Sequence, residues 1–155
     1  MKQAKKTYLR KVGLGFFAVS FSITILLFLM RSKPVLLTIS ADDTIRPPSF
    51  CLLNPFRNKE PERVAEKYLS KLRAGVITEL APLIGSNQYI LEEEKKWPVQ
   101  SWRIGNRQDT GEKAEILYWV KRGNGYSKDG IEEEVRFFME ESGRNWRVTH
   151  YSAIY

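Results

Sequence analysis

Lys113-Ala114-Glu115-Ile116-Leu117-Tyr118-Trp119-Val120-Lys121-Arg122 is the stretch whose reading decides the fold. Ala114, Ile116, Tyr118 and Val120 alternate with Glu115, Leu117, Trp119 and Lys121. A period of two puts the first set on one face of a strand and the second on the other, which no helix would do. Neighbouring stretches have the same texture. Ser101 to Arg107, Ile131 to Glu141 and Asn145 to Ala153 are rich in β-branched and aromatic residues, and Asp109-Thr110-Gly111, Gly123-Asn124-Gly125, Lys128-Asp129-Gly130 and Ser142-Gly143 separate the runs as turns. Consecutive strands with short links predict an antiparallel meander of about four strands.

Upstream the period changes. Val64, Ala65, Tyr68, Leu69 and Leu72 recur at helical spacing, with Pro61 suited to the first turn, Glu60 and Glu62 to the positive N-terminus, and Gly75 just past the end. A shorter helix or turn is expected over Ile77 to Ile84, closed by Gly85, and Glu92 to Lys96 reads as a solvated loop or helix end. A one-sided sheet needs a cover, and the amphipathic helix supplies it. The expected fold is α+β: one or two helices packed on a curved antiparallel sheet, in a domain spanning 58–155. Residues 31–57 read as a tether broken by Pro34, Pro47, Pro48 and Pro55, with Phe50 to Phe56 resting on the domain edge.

Charge separates the chain into two parts. The first 33 residues hold Lys2, Lys5, Lys6, Arg10, Lys11, Arg31 and Lys33 and no acid, which accounts for the whole formal net charge of +7. The remainder is neutral, so the basic balance describes an address, not a nucleic-acid surface. From Val12 to Met30 the chain carries no charge. At about 1.5 Å per residue this run reaches roughly 28 Å, the thickness of a bilayer core. The reading is a basic cytoplasmic N-terminus over 1–11, a transmembrane helix over 12–30, and everything beyond Lys33 on the extracytoplasmic side, periplasmic or equivalent. The alternative is a signal peptide cleaved after Thr38-Ile39-Ser40. The length of the apolar run and the bases Arg31 and Lys33 between it and that site argue for a retained anchor. A third arrangement lays Pro34 to Ile39 in the headgroup region.

The order of elements, the helix opening Glu62-Arg63-Val64-Ala65, and the closing Gly143-x-x-Trp146-x-Val148 resemble the nuclear transport factor 2-like superfamily over about residues 58–155. That resemblance implies a cone of helices on a curved sheet. Domains of this kind follow a single span in bitopic components of type IV secretion and conjugation machines, and enzymes of the superfamily keep polar groups inside the cone. The residues here that could line such an interior are Tyr118, Trp146 and His150, the last if alternation from Trp146 and Val148 holds; Asp109 is the nearest acid to orient it. One histidine and one cysteine, Cys51, make neither a transition-metal site nor an intramolecular disulfide. No cofactor and no nucleic acid is expected. Because Tyr118 and Trp119 must face opposite ways, Leu117, Trp119 and Phe138 are expected on the outer sheet face as a surface for a protein partner or a second copy. The function expected is a membrane-anchored, non-catalytic interaction domain. The alternative is a tethered small-ligand binder or an isomerase-like or hydrolase-like enzyme working near His150.

Overall fold

The computed structural model describes residues 2–39, 50–85, 87–123, 132–143 and 145–154, without the side chains of residues 2–14 and 50. Its elements are α1 (Lys2–Leu29), β1 (Val35–Ile39), β2 (Phe50–Leu53), α2 (Glu60–Arg73), α3 (Gln88–Lys96), β3 (Val99–Thr110), β4 (Lys113–Arg122), β5 (Glu132–Ser142) and β6 (Asn145–Ile154). The architecture is α+β, with a four-stranded antiparallel meander in the order β3-β4-β5-β6. Gly111 (φ 62°) and Gly143 (φ 67°) take the first loop position of the β3–β4 and β5–β6 hairpins, in a left-handed backbone that glycine adopts without steric cost.

The alternation of β4 packs as its sequence demands. Ala114, Ile116, Tyr118 and Val120 are buried, joined by Val135, Phe137 and Met139 of β5 and by Trp146, Val148 and Tyr151 of β6. Helix α2 lays Ala65, Leu69 and Leu72 on this face, and Leu80, Ile84 and Ile90 complete the core. Phe137 is the hinge of the packing, edge-on to Tyr118 at 6.0 Å and to Tyr151 at 5.2 Å. The end of α2 is a Schellman motif: the amides of Gly75 and Val76 donate to the carbonyls of Leu72 and Lys71, with Gly75 at φ 77°.

Two expectations change and one left open is resolved. The 31–57 segment is not an irregular tether throughout, because Val35–Ile39 and Phe50–Leu53, which contain no proline, pair as an antiparallel hairpin. Its tip, with Asp42, Asp43, Pro47, Pro48 and the Ser40–Ala41 site, lies outside the described residues. Of the helix or turn expected over 77–84, the structure has the turn, with the Leu80 and Leu83 amides donating three residues back. The Glu92 to Lys96 run belongs to α3, and Glu94 within it is buried.

No helix among the described residues is long and apolar enough to cross a membrane. For α1, side chains are described only from Gly15 onward.

Candidate functional site

Two β-bulges decide which side chains share a face. In β3, Ile104 pairs with Tyr118 and Asn106 with Leu117, so Gly105 is the extra residue. Beyond it, Arg107 and Asp109 pair with Ile116 and Ala114 and so take the inner face. In β6, Phe138 pairs with His150 and Met139 with Val148, so Thr149 is the extra residue. Alternation from Trp146 and Val148 therefore breaks: Tyr151 turns into the core and His150 turns out, against Phe138 with ring centroids 5.5 Å apart. The expected interior trio is corrected on this point. Tyr118 and Trp146 are buried on the inner face and His150 is exposed on the outer one, so the three line no common pocket. Asp109 does not approach His150 in any hydrogen bond; it binds Arg107 through both carboxylate oxygens, at 2.8 and 2.7 Å.

The outer face does bring Leu117, Trp119 and Phe138 to one side of the sheet. All three are half-buried. Trp119 and Leu117 lie over Gly105, where an added Cβ would meet Leu117 Cδ2 at 2.3 Å and Trp119 Nε1 at 2.4 Å. The missing side chain is thus the seat of the indole. Charges surround the patch: Arg103 reaches across β4 to Glu132, with Nε 3.0 Å from Oε2, and Arg136 binds Glu134 and, at 2.9 Å, Glu115. Hydrogen bonding to Glu134 raises the Arg136 pKa above its ordinary value against the opposing pull of burial. The face is an aromatic centre with a zwitterionic frame, not the bare apolar patch the alternation alone suggests. Toward the β3–β4 turn it deepens into an open groove of about 380 Å³, lined by Thr110, Lys113, Glu115, Phe138, Thr149 and His150 among others.

Two buried charge clusters sit under the opposite face. At one, Glu62 accepts from Arg57 (2.6 Å) and Arg107 (2.9 Å), and Arg107 also donates to the Asn58 carbonyl. The Arg107 side chain is 1% exposed, and its carboxylate partners keep its pKa raised although burial pulls the other way. The Tyr118 phenol donates to the Glu62 carbonyl over 3.4 Å, and burial, with Glu66 and Glu62 nearby, pushes its pKa far above the ordinary value. At the other cluster Glu94 takes both terminal nitrogens of Arg122 (2.7 and 2.6 Å) and the Tyr151 hydroxyl, and Glu133 pairs with Arg122 Nε at 2.6 Å. Burial raises the Glu133 pKa more than Arg122 lowers it. These charge networks anchor α2 and α3 to the sheet. Sequence reasoning missed them, though one signal was present: Arg122 continues the parity of Ala114, Ile116, Tyr118 and Val120 into the core. Arg107 had no such signal, since only the bulge at Gly105 turns it inward.

Cys51 is partly buried, and burial lifts its thiol above the ordinary value despite a hydrogen bond with Thr38. Among the described residues no group of three or more His, Cys, Asp or Glu could hold a metal ion. What the fold and its faces define is a class: an α+β domain whose sheet is covered by helices on one side and, among the described residues, by no helix on the other, behind a long N-terminal helix. No family model matches the chain, and no curated protein matches it in sequence.

Proposed function

We propose that the chain is a single-pass membrane protein whose extracytoplasmic domain, similar to the nuclear transport factor 2-like superfamily, binds a protein partner through the outer sheet face during assembly of an envelope or secretion complex. The observation that carries the anchor is the exposure of α1. Phe16 and Phe17 are each 77% exposed, Phe21 68% and Leu29 71%, and Val19, Ile23, Ile25, Leu26 and Phe28 are exposed as well. From Gly15 onward, a helix apolar on all sides and packed against described protein only near its end supports an apolar surrounding. The hydroxyls of Ser22 and Thr24 donate to the carbonyls of Ala18 and Ser20, which satisfies them inside hydrocarbon. With the Val12 to Met30 run and the bases on either side, this supports a span with the N-terminus in the cytoplasm.

The partner face is favoured because the helices cover only the other side of the sheet. The Trp119 indole N–H is buried over Gly105 without a hydrogen-bond partner among the described residues, so only a ring that turned outward would offer it to an acceptor on a bound protein. Aromatic side chains ringed by Arg and Glu are the composition of an interface centre and its rim. A photoreactive residue at Trp119 in the native membrane tests this. A discrete protein adduct that is lost on Leu117→Glu in the same chain supports the reading, while adducts unchanged by that substitution, or none, overturn it.

A further inference from the structure

The β1–β2 hairpin has two unequal faces. Cross-strand partners Leu37↔Leu52 and Ile39↔Phe50 place Leu37, Ile39 and Leu52 together, and these three are 50%, 49% and 43% exposed. Thr38 pairs with Cys51 on the other side. The Leu37 face stays about half exposed among the described residues, although both strands of the ribbon also contact β3.

The hairpin is fastened to the end of α1 by one residue. Asn54 follows β2 and is completely buried. Its amide group donates to the Leu27 carbonyl at 3.0 Å and the Met30 carbonyl at 3.2 Å, closing the C-terminus of α1. Its side-chain oxygen accepts from the Phe56 amide, its backbone N–H donates to Pro34, and its carbonyl accepts from the Arg57 side chain. Phe56, 40% exposed, stands edge-on to Phe28 of the last helical turn with centroids 5.9 Å apart. An apolar contact thus joins the last turn of the helix to the segment just after the hairpin. The turn between them carries Arg31 and Lys33, both exposed.

We infer that the Leu37–Ile39–Leu52 face, with Phe56, rests in the headgroup and acyl boundary of the same bilayer that α1 spans, and so sets the tilt of the domain on the membrane. The inference rests on the reading of α1 as a span. Lipid is the occupant the geometry selects, for three reasons. Asn54 holds the hairpin base within a hydrogen bond of the helix end, where the bilayer surface is present at all protein concentrations. Arg31 and Lys33 beside it can pair with the phosphates that lipid headgroups carry in either leaflet. Three side chains also fall far short of the roughly 800 Å² per partner that a stable protein interface buries.

The test uses the full chain with Cys51→Ser, reconstituted in phosphatidylcholine vesicles containing phosphatidylglycerol, and an environment-sensitive fluorophore on one introduced cysteine. Spin labels are placed on the lipid chains either near the headgroup or near the bilayer centre. Leu37→Cys is expected to lose emission to the shallow label more than to the deep one, Ile23→Cys to the deep one, and Asn145→Cys, at the start of β6, to neither. Leu52→Cys repeats the measurement on the facing strand should Leu37→Cys disturb the hairpin. If position 23 is quenched while 37 and 52 behave like 145, the inference is overturned and the span stands, including the case where 37 self-quenches between copies. If position 23 is not quenched by either label, the span reading falls and the hairpin inference with it.

Discussion

Gly105 has no room for a β-carbon, and this places the outer-face aromatics. With Leu117 Cδ2 and Trp119 Nε1 at 2.3 and 2.4 Å from the position an alanine Cβ would take, Gly105→Ala must push both side chains away. The expected cost is about 1–3 kcal/mol in chemical denaturation, with a shift in tryptophan emission, as for other overpacked sites. Unchanged stability and emission would mean that the bulge does not seat the indole. Glu133 offers a test of a different kind. Its folded carboxyl binds a proton more tightly than the ordinary glutamate value of 4.5 implies, because desolvation outweighs the pull of Arg122. The sign follows: the native state takes up that proton first, so the Glu133 contribution to stability rises as pH falls through the raised folded value toward 4.5, and is lowest above it. Glu133→Gln should remove this component from the stability profile measured between neutral pH and about 4.5, leaving a shallower slope.

At the scale of elements, buried charge does the joining. Glu62 sits in the first turn of α2 but faces inward, where it neutralises both Arg57 and Arg107. Glu62→Ala would leave two guanidinium groups in a nearly dry site. The expected loss is about 3–5 kcal/mol by denaturant titration, the range for stripping one partner from a buried pair. A loss below 1 kcal/mol would show that water reaches these arginines as it reaches surface pairs. Asn54 joins α1 to the hairpin in the same manner with neutral groups. Asn54→Ala strips the Leu27 and Met30 carbonyls of their side-chain donor. This should cost about 1–3 kcal/mol and free the junction. In vesicles, tryptic cleavage at Arg31 and Lys33 should accelerate relative to the parent chain; an unchanged rate would show that the junction is held by other contacts.

For the whole molecule the deciding property is the division between an uncovered apolar helix with basic flanks and a neutral domain. Seven bases and no acid in the first 33 residues should orient the chain with its N-terminus inside. In a Cys51→Ser background, an impermeant maleimide applied to intact cells is expected to label Asn145→Cys and to leave Thr7→Cys unlabelled. The opposite pattern would invert the topology, and a mature protein lacking its first 40 residues would replace the anchor with cleavage.

The local period of the chain was enough to determine the α+β class, the four-strand meander, the α2 stripe and the apolar run of α1, because burial on one face imposes a period of two on strands and near 3.6 on helices. Alternation was also enough to separate Tyr118 from Trp119 across the sheet. Only the tertiary structure decided what depends on an inserted residue or on a distant partner. The bulge at Gly105 sends Arg107 to Glu62, and the bulge at Thr149 sends His150 away from Tyr118 and Trp146. Glu94 is polar in sequence but buried in the fold because Arg122 and Tyr151 meet it there. A one-residue shift in register leaves almost no trace in composition, yet it exchanges the two faces of a strand.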